Sequence, residues 1–96
     1  MMDASYPPPG VEPPGTMVDA AATARGLIAL AFVPKSGSGG IVQLLSPAPL
    51  KLLAELPLEG KPTSIKLKGV PGGEHFLTVG FEQGGVEVWS LTPDAE

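Results

Sequence analysis

From Gly26 onward the apolar residues gather into short runs of five to seven, each cut off by Gly, Pro or another turn former. The runs are Leu27–Phe32, Ile41–Leu45, Leu50–Leu56, Thr63–Leu67, Phe76–Phe81 and Val86–Leu91. Runs of this length with β-branched and aromatic members read as strands. Between them lie SGSGG, SPAP, PLEGKP, VPGGEH and EQGG, all rich in residues that favour tight turns. Thr63–Lys68 alternates cleanly, with Ile65 and Leu67 on one face and Lys66 and Lys68 on the other. Val86–Trp89 sets two valines on one face and Trp89 on the other, so both faces of that strand are partly apolar. Leu50–Leu56 also has a rough helical spacing, but Pro47, Pro49 and Pro57 box it in and favour a strand.

The first quarter of the chain follows different rules. Residues 1–16 hold five prolines between Pro7 and Pro14. Proline lacks an N–H and fixes φ, so this stretch is expected to be a disordered or polyproline-like tail. No two of these prolines stand three apart, as a P-x-x-P ligand would require. Residues 17–25, MVDAAATAR, suit either a marginal helix or an extended lead-in. The resulting division is a tail over 1–16, a lead-in over 17–25, a β segment over 26–92 and a short tail over 93–96.

Two stretches echo one another. GGIVQLLSP starts at Gly39 and GGVEVWSLTP starts at Gly84, 45 residues later. Each follows an apolar run that ends in phenylalanine, at Phe32 and at Phe81. A repeat of this length containing four strands is the signature of a propeller blade. On the spacing of KPTSIKLKGVPGGEHFLTVGFEQGGVEVWSL, residues 26–92 resemble the WD-repeat β-propeller family. Gly60-Lys61 stands where that family carries Gly-His, Trp89-Ser90 where it carries Trp-Asp, and Gln83 where it often carries Asp. The resemblance implies an all-β fold of antiparallel sheets forming two incomplete blades, with Phe76, Phe81 and Trp89 as anchors buried against neighbouring blades. A generic six-stranded meander is the other architecture the pattern allows.

Composition narrows the function. The chain has 96 residues and a net charge of −4, so it offers no basic surface for a phosphate backbone. Lys61, Lys66 and Lys68 form its one basic cluster, a pattern that commonly protects a strand edge. There is no cysteine, which fits an intracellular compartment and leaves the cytoplasm as the expected one. Neither a secretory leader nor an apolar stretch long enough to cross a bilayer is present in the sequence given, so no membrane partner is expected.

Candidate chemistry is sparse. His75 is the single histidine and adjoins Glu74, which as an exposed turn pair gives no acid–base site. Lys35-Ser36-Gly37-Ser38-Gly39-Gly40 places its lysine ahead of the glycines and leads into a strand, so it is no phosphate cradle. No catalytic residue, metal ligand or cofactor site is expected, and the reading is of a protein without enzyme activity. The function implied is protein–protein interaction or scaffolding, as a fragment of a propeller or a contributor of strands to a larger assembly. Lys35, Ser36, Glu74, His75, Glu82 and Gln83 would face a protein partner, with self-association as one form of partnering. The residues leave open a small stand-alone β domain that binds a peptide or small ligand.

Overall fold

A computed structural model describes residues 6–24, 26–47, 49–70 and 73–91. Seven strands occur in chain order: β1 (Gly15–Ala22), β2 (Ile28–Pro34), β3 (Gly40–Pro47), β4 (Leu50–Leu58), β5 (Pro62–Gly69), β6 (His75–Phe81) and β7 (Val86–Leu91). They form a four-stranded sheet in the order β1-β2-β3-β4 and a three-stranded sheet in the order β5-β6-β7. Every neighbouring pair is antiparallel, so each sheet is a simple meander. The fold is all-β.

All six expected strands are present, and β4 is a strand rather than a helix. It tolerates Pro57 because it lies at the edge of its sheet, where a missing N–H costs no ladder bond. The seventh strand, β1, occupies the stretch that composition left open between tail and lead-in. Its run of small residues (Ala20, Ala21, Ala22) is neutral as to helix or strand, and pairing with β2 decides it. With β1 in place, the first sheet has four strands.

Alternation then sorts the side chains. Ala29, Ala31, Val42 and Leu44 point to one face of the first sheet and meet Ile65, Leu77 and Val79 of the second. This inter-sheet layer is the main core, and Phe81, Trp89 and Leu91 pack at its margin. Opposite residues in the pairing confirm the geometry, with Ala29 facing Leu44 and Ala31 facing Val42 across β2 and β3. The other face of the first sheet carries Leu30, Phe32 and Leu45, a second cluster covered by Tyr6 and flanked by Ile28, Leu50 and Leu52.

Two expectations are corrected here. Residues 6–14 form neither helix nor strand, but they are not a loose tail: Pro8 is buried and the Tyr6 ring lies 5.9 Å from that of Phe32, tilted by 35°. Residues 1–5 and 92–96, the remainder of the expected tails and the end of the β segment, lie outside the described residues. The second correction concerns the repeat. Ile41 pairs with Phe32, whereas Val86 pairs with Gly80, so the residue matching Phe32 is Gly80 and not Phe81. A one-residue slip exchanges the two faces of a strand. Phe32 therefore points away from the second sheet while Phe81 packs toward the shared core.

Candidate functional site

The second sheet has one covered face and one bare face. Its bare face is built by Ser64, Lys66 and Lys68 of β5, by Phe76, Thr78 and Gly80 of β6, and by Val86, Val88 and Ser90 of β7. Val86 and Val88 are 63% and 64% exposed, the most exposed large apolar side chains among the described residues. On the matching face of the first sheet stand Ile28, Leu30 and Phe32 of β2 and Ile41, Gln43 and Leu45 of β3. Threonine, glycine and lysine thus replace larger apolar groups on the side that carries no cover.

The edge of β7 follows from its turn. Gly84 donates its N–H to the Phe81 carbonyl at 2.9 Å, and Phe81 donates to the Gly85 carbonyl at 3.0 Å. Gly84 has φ +101°, which suits glycine at this position of the hairpin. Starting from the bonded Phe81–Gly85 pair, antiparallel alternation directs Glu87, Trp89 and Leu91 backbone groups toward β6. The N–H and C=O groups of Val86, Val88 and Ser90 point outward. Among the described residues β7 has a neighbour on one side only.

Of the residues expected to face a partner, Lys35 and Ser36 are exposed in the β2–β3 turn, closed by the Gly37 N–H on the Pro34 carbonyl at 2.8 Å. Glu82 and Gln83 are exposed in the β6–β7 turn, which is tied to the start of β5 by the Glu82 N–H on the Lys61 carbonyl at 2.9 Å. These two turns share an end of the molecule, because Gly40 abuts Pro62 and Gly60 abuts the Phe81 ring and Gln83. Glu74 is exposed elsewhere, at the start of β6, where it accepts a 3.3 Å hydrogen bond from Ser90 Oγ.

His75 is a correction. It is 6% exposed and is not a partner-facing group. As the first residue of β6 its ring lies on the core side, where it stands against Gly69, and neither ring nitrogen has a partner among the described residues. Of the three expected anchors, Phe81 and Trp89 pack on the shared core, whereas Phe76 is half-buried on the bare face. Residues 71 and 72 of the expected VPGGEH turn lie outside the described set.

Two polar links escaped the sequence reading. Gln43, fully buried, accepts a 2.5 Å bond from the Tyr6 hydroxyl and donates its amide to Glu55 Oε2 at 2.7 Å. Burial and the nearby Glu55 carboxylate push the Tyr6 phenol above its ordinary value. Asp19 joins the sheets: one carboxylate oxygen accepts the Ile65 N–H at 2.9 Å and the other accepts the Ala20 N–H at 2.9 Å. A lone amide inside the apolar run Ile41–Leu45 was the available signal for the first link, since a buried polar group must find a partner. Asp19 gave no such signal, because its partner lies 46 residues away.

Among the described residues no three His, Asp or Glu side chains converge as a metal site would require, and no helix is long and apolar enough to cross a membrane. No family model, curated protein or solved structure matches the chain.

Proposed function

We propose that this protein is a non-catalytic interaction module, a propeller-like segment that contributes strands to a larger assembly. The observation that carries the reading is the unequal finish of two like units: β1–β4 has four strands with its central β2 and β3 covered on both faces, while β5–β7 repeats the same path with the place beside β7 open among the described residues. The two units stack face to face, with β5 lying against β1 and β2, as successive blades of a propeller do. Repeat units of this kind bury their faces against neighbours, so an uncovered face is where a further unit or a partner would sit. The bare face spans three strands and carries Val86 and Val88 in the open, which favours protein contact over the enclosure of a small ligand.

Cross-linking at lysine provides the test. Lys66 and Lys68 stand on the bare face, whereas Lys35 and Lys51 stand on the first unit. With the full chain expressed in cells, cross-links to protein partners should concentrate on Lys66 and Lys68. A chain that folds cooperatively as a monomer and yields no protein cross-links at these lysines would overturn the proposal.

A further inference from the structure

Four strands lie at sheet edges, and three of them carry a device that discourages pairing with another chain. In β1 the register breaks between Met17 and Asp19. In the β3–β4 ladder it breaks at Leu44/Leu45, and β4 also contains Pro57. In β5 it breaks between Pro62 and Ser64, Lys66 and Lys68 line the strand, and the outward Ile65 N–H is already taken by Asp19. The β6–β7 ladder has no such break, and β7 contains neither proline nor lysine. Among the described residues it is a regular, unprotected edge, and it carries two exposed valines.

We infer that β7 pairs antiparallel with β7 of a second copy of this chain, Val88 against Val88 on a two-fold axis. The inference rests on the interaction reading above and names a partner for the open place beside β7, leaving the bare face of the second sheet uncovered. Three arguments select this register. Only Val86, Val88 and Ser90 direct their N–H and C=O groups outward, so each must face an outward residue of the other strand. Centring on Glu87 would set two carboxylates directly opposite, about 5 Å apart, which is unfavourable. Centring on Trp89 would pair only Val88 with Ser90 among the outward residues of the described strand. Centring on Val88 instead pairs Val86 with Ser90 twice and forms about six backbone hydrogen bonds. It also sets Glu87 opposite Trp89 of the other copy, and within one chain the indole N–H already donates to this carboxylate at 3.2 Å. A two-fold contact is self-complementary, and this register satisfies that condition residue by residue. β1 and β2 contact the second sheet along β5, the edge opposite β7. The product is a continuous six-stranded sheet in which the valines of both copies form one stripe.

The absence of cysteine makes the register directly testable. Under mild oxidation of the full chain, Val88→Cys should form a covalent dimer, since the two α-carbons at the axis would stand about 5.5 Å apart. Val86→Cys alone should not, its twin being about four residues away along the strand, but a mixture of Val86→Cys and Ser90→Cys chains should. By light scattering over a dilution series the unmodified chain should be dimeric at its upper concentrations. Val88→Lys should raise the dissociation constant about tenfold or more by opposing two ammonium groups at the axis. Circular dichroism of Val88→Lys checks that it folds, and the cysteine traps stand independently if it does not. A chain that stays monomeric with no Val88→Cys dimer overturns the inference. So does a dimer that Val88→Lys leaves unchanged or that Val86→Cys traps by itself. If self-pairing fails while Lys66 and Lys68 still cross-link to a different protein, the interaction reading stands and only its named partner falls.

Discussion

The two sheets follow the same up-and-down path and differ in what their outer faces carry. In the first, Leu30, Phe32 and Leu45 need cover and obtain it from Tyr6, with Ile28, Leu50 and Leu52 at the flanks. In the second, the corresponding positions are Thr78, Gly80 and Ser90, with Lys66 and Lys68 beside them. Both pair their neighbouring strands antiparallel throughout. Side-chain size and polarity alone decide which face must be buried and which can stay in water.

Substitutions can break this contrast, beginning with the largest effect. Phe32→Ala removes a ring that is 1% exposed and should cost about 3–5 kcal/mol in chemical denaturation. If the loss is under about 1 kcal/mol, the outer face of the first sheet is not a sealed layer. Trp89→Ala deletes a half-buried ring at the margin of the shared core and should cost about 2 kcal/mol, less than a fully enclosed ring. Tyr6→Phe keeps the contact with Phe32 but takes away the bond to Gln43, so a loss of about 1 kcal/mol is expected. Val88→Thr lies on the bare face and should change the stability of the single chain by less than about 0.5 kcal/mol.

Alkaline titration sharpens the same comparison. The Tyr6 phenol is raised in the folded chain, so its contribution is fully present below the ordinary phenol value of 10.0 and is lost as pH climbs through the folded value. Stability should therefore decline in strongly alkaline solution, and Tyr6→Phe should abolish that part of the decline. Tyr6 is the single tyrosine, so phenolate absorbance follows it without interference. A phenol that titrates at its ordinary value would mean that the segment does not hold its place over Phe32.

Six of the seven strands were readable because each is a short apolar run bounded by turn formers. The alternation in Thr63–Lys68 and Val86–Trp89 sorted these residues onto the two faces they occupy, but with both faces of Val86–Trp89 partly apolar it did not tell that the valine side would be the exposed one. The seventh strand was not readable, because alanine-rich β1 has no period of its own and is a strand through its pairing with β2. The echo between the units was visible, but its phenylalanines misled. Phe32 and Phe81 end similar runs and face opposite ways, since one inserted position inverts a strand. The candidate site was legible only in part. Exposed turns at Lys35 and at Glu82 could be expected from composition, whereas the burial of His75 could not.

Local sequence determined where the chain extends, where it turns and which residues share a side of each strand, because these depend on neighbours one or two positions away. Only the packed structure decided which sides are covered. The placement of Tyr6 over Phe32, the reach of Asp19 to Ile65 and the bareness of Val86 and Val88 each depend on segments far apart in the chain. Burial is a property of the space between elements, and no single run of residues carries it.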